Sequence, residues 1–164
     1  DVIGVNLKQR RVYVCEVAVH LTTGLLYVGK DGKSNNVPKI TDKFARDIAY
    51  ARKYLADYEC CYMLWSPVVK VGPSASTNQL AGLEQVAAII RKTFGVELEI
   101  VINHRFLAAF EELRAFAASQ TAELKCPLAR MLQLEAYLKK HVGKLPIATT
   151  PTSPTFTPVA QLAS

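Results

Sequence analysis

Asp1-Val2-Ile3-Gly4-Val5-Asn6-Leu7-Lys8-Gln9-Arg10-Arg11-Val12-Tyr13-Val14-Cys15-Glu16-Val17-Ala18-Val19 is the stretch on which the fold turns. Two runs, Asp1 to Asn6 and Val12 to Val19, are rich in β-branched and aromatic residues, which fit a pleated, half-buried surface. The polar link Lys8-Gln9-Arg10-Arg11 is short, so the two runs read as a hairpin. The chain opens inside the first run on a residue that is not Met. It therefore reads as a piece of a longer protein whose upstream segment is absent, with no signal peptide at its start.

Beyond the hairpin, Thr22-Thr23-Gly24 breaks the chain and Leu25 to Val28 reads as a third short strand. A loop follows, and Thr41 or Asp42 is expected to cap a helix whose inner stripe is Phe44, Ile48, Ala51 and Leu55. The apolar run from Glu59 reads as a buried strand ending at Ser66-Pro67 or just past it. A second helix carries Leu80, Leu83, Ala87, Ile90 and Phe94 on one face and stops at Gly95. Val96 to Ile102 alternates as a half-exposed strand.

The remainder reads as helical. One stripe is Phe106, Phe110, Leu113 and Ala117; another, after a first-turn Pro127, is Met131, Leu134, Leu138 and Val142. From Lys144 onward, four of the eight prolines fall among Thr and Ser, which marks a tail with no core of its own. The expectation is one α/β domain over residues 1–143, a mixed sheet with helices on both faces, and a Pro/Thr-rich tail over 144–164.

Composition bounds the function. The chain has 164 residues, half of them hydrophobic, so it can bury a core. No stretch of about 18 apolar residues is present. The four cysteines show neither Cys-x-x-Cys nor a Cys/His zinc spacing, and the expected compartment is reducing and cytoplasmic. The net charge of +6 is uneven. Residues 1–53 hold ten Lys/Arg against five Asp/Glu, and the rest is nearly balanced. A basic first third suits an anionic partner, while a solvated face is the plainer reading.

Two acids stand out. Asp1 begins the first run, and Glu16 lies near the end of the second with apolar neighbours on both sides. A carboxylate in a core strand needs a partner. Two carboxylates meeting at a hairpin end would form a hard oxygen site suited to Mg²⁺.

Asp1 to Asn6 followed by Val12-Tyr13-Val14-Cys15-Glu16-Val17-Ala18 resembles the signature of the PD-(D/E)XK, restriction-endonuclease-like nuclease superfamily. The similarity covers about residues 1–70, element order included. It implies a restriction-endonuclease-like core and metal-dependent phosphodiester hydrolysis. On it, Asp1, Glu16 and the carbonyl of Val17 would hold Mg²⁺ or Mn²⁺. The partner it implies is nucleic acid, DNA ahead of RNA, and it leaves oligomerisation open.

The chain departs from the pattern at Ala18, where the family has its lysine. Lys43 or Arg46, on the next helix, would supply the cation, with His20 as a neighbour on the strand. Arg46 and Tyr50 share a helix face and echo a Gln-x-x-x-Tyr pattern of one branch of the superfamily. Asn103-His104-Arg105 could line the same crevice, or Asn103 could be a cap. The alternative function is an inactive member of the fold serving as a protein-interaction or scaffolding module.

Overall fold

A computed structural model describes residues 2–20, 22–30, 32, 34–73 and 78–141. Eight elements follow in chain order: β1 (Val2–Asn6), β2 (Arg11–Val17), α1 (Asn36–Tyr54), β3 (Glu59–Ser66), α2 (Gln79–Phe94), β4 (Leu98–Ile102), α3 (Asn103–Ser119) and α4 (Pro127–His141). The chain is α/β, with a four-stranded mixed sheet in the order β1-β2-β3-β4. It divides into two compact units, residues 1–112 and residues 113–164, with the division inside α3.

In the first unit β1 and β2 form the expected hairpin, Val2 opposite Cys15 and Asn6 opposite Arg11. The turn is held by Asn6, whose Oδ1 accepts from the Gln9 N–H at 3.1 Å, and Arg10 takes a positive φ of 52°. β2, β3 and β4 run parallel, Val14 beside Tyr62 and Tyr62 beside Leu98. Strand alternation sends Val12, Val14, Tyr62 and Leu64 into one layer with Ile40, Phe44 and Ile48 of α1 and Leu83, Val86 and Ile90 of α2.

Both helices thus cover the same face. Two successive parallel crossovers moving the same way along the sheet, each right-handed, lay their helices on one side. The opposite face, with Tyr13, Cys15, Cys61 and Met63, is half-buried; there Trp65 meets Phe106 of α3 edge to face at 6.0 Å.

Two expectations about the long connection after β2 fail. Leu25 to Val28 is no strand; only an isolated bridge joins Val28 to Ser34. The helix begins at Asn36, a turn before Thr41 and Asp42. Pro38 looks like a barrier to an earlier start, yet a proline is tolerated in a first turn because the N–H it lacks has no helical partner there. Buried Asn36 instead holds the connection, accepting from the Tyr27 N–H and donating to the Leu25 carbonyl, both at 2.7 Å. α2 ends as expected at Gly95, in the left-handed conformation.

In the second unit α4 starts at Pro127 as expected, but its buried residues are Ala129, Leu132 and Gln133. Met131, Leu134 and Leu138 are exposed, Met131 by 69%. The helix is apolar on two sides, and periodicity could not choose between them. Gln133 does, donating to the carbonyls of Gln120 and Ala122 at 2.8 Å each and so fixing the helix rotation. The expected tail lies outside the described residues.

Candidate functional site

Glu16 follows Val12 and Val14 in the inward alternation of β2, so the strand carries its carboxylate under the helix layer. It is 4% exposed. Its Oε2 accepts from Nζ of Lys43. Lys43 precedes fully buried Phe44 on α1, which places it where helix meets sheet; its side chain is 20% exposed. An acid from the strand and a cation from the helix are thus brought together 27 residues apart in sequence. Arg11 forks onto Glu59 at 2.8 and 3.1 Å at the other end of the strands.

Ala18 is buried, and its N–H donates to the Trp65 carbonyl at 2.9 Å. It shares the inward face with Glu16 and belongs to the core. Arg46 does not join the pair. It lies exposed on the outer side of α1, its Nε donating to the Asp42 carbonyl at 3.3 Å. Val17 closes β2 beside Trp65. Asp1 lies outside the described residues; Val2, which follows it, is opposite Cys15, the neighbour of Glu16. His20 meets the Tyr27 ring edge-on at 5.7 Å.

Among the described residues no three His, Cys, Asp or Glu side chains group closely enough to hold a metal. Mg²⁺ commonly takes one or two protein carboxylates and completes its shell with water and phosphate oxygens. Of the acids expected to hold it, Glu16 is the one among the described residues, and its carboxylate is ion-paired with Lys43.

Glu16 sits at the carboxyl end of the parallel strands, where open α/β sheets present their ligand crevices. Three side-chain amides shape this end. Besides Asn36, buried Gln79 accepts from the Lys70 N–H at 2.8 Å and donates to the Thr23 carbonyl at 3.1 Å. Gly24, at φ +69°, passes so close that an added Cβ would lie 2.6 Å from Gln79 Oε1. Asn103, at φ +50°, accepts from the Val69 N–H at 2.8 Å and donates to the Val69 carbonyl at 3.0 Å. Sequence reasoning missed Asn36 and Gln79: Asn36 fell in the stretch read as loop, and no periodicity marks a lone amide as buried. His104 is exposed, and Arg105 turns back to Ile100 and Glu99. Ser66 is fully buried, with no partner for its Oγ among the described residues.

The thiols are unbridged. Burial pushes Cys15 and Cys60 upward, so both stay protonated at neutral pH. Tyr62 is pushed up to about 12, again mainly by burial. Tyr62 belongs to the core and Cys60 packs against it. No described helix is long and apolar enough to cross a membrane. No protein-family model, curated protein or solved structure matches the chain.

Proposed function

We propose that this chain is a restriction-endonuclease-like domain that engages the phosphate backbone of nucleic acid at the carboxyl end of β2 and hydrolyses it with Mg²⁺ or Mn²⁺. DNA is the favoured substrate and the cytoplasm the favoured compartment. The observation that carries the reading is the buried pair of Glu16 and Lys43. It supplies from a strand and a helix the acid and the cation that the superfamily pattern places on one strand. In this reading Asp1 is the second acid, Glu16 and the Val17 carbonyl complete the protein's share of the ion's shell, and Lys43 orients the scissile phosphate. The ion, once bound, would acidify its water and neutralise phosphate charge. Arg46 faces outward and is assigned to backbone contact.

A second reading, an inactive member of the fold used for protein interaction, draws on Ala18 and on Glu16 being already ion-paired. The experiment incubates the chain with single-stranded and duplex DNA and RNA in Mg²⁺ or Mn²⁺, beside Asp1→Asn, Glu16→Gln and Lys43→Met. Metal-dependent cleavage lost in all three variants is the expected result. Neither cleavage nor binding in either metal overturns the proposal, and binding without cleavage removes its hydrolytic half.

A further inference from the structure

α1 has an outer face that the fold does not use. Its inner residues Ile40, Phe44, Ile48 and Ala51 are committed to the core. On the far side Lys39, Arg46 and Lys53 recur seven residues apart, all exposed. Seven residues are nearly two helical turns, so the three cations form a line with steps of about 10 Å. Between and beside them stand Tyr50 and Tyr54, 50% and 59% exposed, their rings 4.8 Å apart. Lys53 lies 4.9 Å from the Tyr54 ring centre. Asp42 lies on this stripe and Asp47 at its margin, and the Asp42 backbone carbonyl accepts from Arg46. The ion pairs found among the described residues use other cations. Lys43, the partner of Glu16, borders the stripe one turn from Lys39 and Arg46.

A solvated helix face needs no aromatics. Two adjacent, half-exposed tyrosines in a line of cations are what unpaired bases and a phosphate backbone require together, since bases stack on rings while phosphates take the charges. A duplex could use the charges but hides the faces of its bases. We infer that the outer face of α1 is a docking track for single-stranded nucleic acid: Lys39, Arg46 and Lys53 contact phosphates, Tyr50 and Tyr54 stack bases, and the strand is delivered to the Glu16–Lys43 pair. The inference rests on the nucleic-acid reading above and adds the surface and the strandedness.

The test is fluorescence anisotropy of the full chain with a labelled mixed-sequence 20-nucleotide DNA strand and with the same sequence as duplex, across a salt series. Three phosphate contacts to a single strand contribute a slope of about −2 in log affinity against log salt. Lys39→Gln/Arg46→Gln/Lys53→Gln is expected to lower the slope by that amount and to weaken binding by about 100-fold at 0.1 M salt. Tyr50→Ala/Tyr54→Ala is expected to cost at least about tenfold on the single strand and little on the duplex. A charge-matched control, Lys92→Gln/Lys125→Gln/Lys140→Gln, is expected to change binding far less. All the substituted side chains are exposed, and circular dichroism checks that each variant folds.

Wild-type binding unaffected by the α1 changes, or weakened equally by the control, overturns the track and leaves the nuclease reading standing. A tyrosine variant that binds the single strand normally overturns the single-strand assignment. Weakened binding by the α1 variants of a chain that never cleaves supports the track and removes the hydrolytic reading alone. A wild-type chain that binds neither form overturns both.

Discussion

Lys43→Met is the perturbation that separates a fold held by its buried ion pair from one that merely contains it. Glu16 is 4% exposed, and the cation that accompanies it arrives from α1. Removing that cation strands a carboxylate under the helix layer, which costs about 3–5 kcal/mol. The converse change is milder. Lys43 retains a 20% exposed side chain, so after Glu16→Leu its ammonium can reach water along its flexible stem. That variant should lose about 1 kcal/mol. Removing both charges with Glu16→Leu/Lys43→Met leaves an apolar contact and should restore stability to within about 1 kcal/mol of the parent, or exceed it. The coupling from this cycle is then at least about 3 kcal/mol, at or above the upper end for directly interacting residues. Urea unfolding followed by far-ultraviolet circular dichroism reads it. With an m-value of about 2 kcal/mol/M, Lys43→Met should lower the midpoint by roughly 2 M. A Lys43→Met protein as stable as the parent would refute the burial argument, as would a double variant that loses the sum of the two single losses. If the double variant regains stability yet neither binds nor cleaves nucleic acid, the pair is retained for function at the expense of the fold.

Asn103→Ala removes both hydrogen bonds to Val69 and puts a Cβ-bearing residue without a polar side chain at φ +50°, so it should cost about 2–4 kcal/mol in thermal or urea unfolding. Asn103→Gly loses the same bonds but tolerates the backbone, and should recover about 1 kcal/mol; equal losses would show that the conformation carries no strain. Tyr62, pushed up to about 12, keeps its proton in the folded chain at pH values where the unfolded chain, near 10, has released it. Stability from this group is therefore full below pH 10 and falls as pH rises toward 12, by up to about 3 kcal/mol. Tyr62→Phe should abolish that component in unfolding measured from pH 9 to 11.5, and an unchanged alkaline slope would contradict the burial of the phenol.

Much of the architecture could be read along the chain because it rests on local signals. β-branched content marked β1 and β2, helical spacing marked α1 and α2, and Gly95 marked a helix end. What failed depended on tertiary choices. Leu25 to Val28 has strand-like residues, yet it is drawn into a loop by the Asn36 amide and the Leu25–Val68 backbone bond. On α4 both sides are apolar, and a single polar residue, Gln133, settles which side turns inward.

The candidate site was legible in part for the same reason. An acid among inward-facing valines declares its own anomaly, so Glu16 was visible from strand alternation alone. Its partner was not, because Lys43 and Arg46 look alike on a helical wheel until the docking of α1 is known. Phe44, Ile48 and Ala51 set that docking by entering the core, which rotates Lys43 to the sheet margin and Arg46 to solvent. A lysine carried on the same strand as the acid would hold its position by strand geometry alone. Here the position of the cation depends on how well a helix packs. Core substitutions under α1, such as Phe44→Leu, should therefore disturb the Glu16–Lys43 geometry before they unfold the chain. Sensitivity of function to those apolar residues, out of proportion to their effect on stability, would be the mark of a site built across two elements.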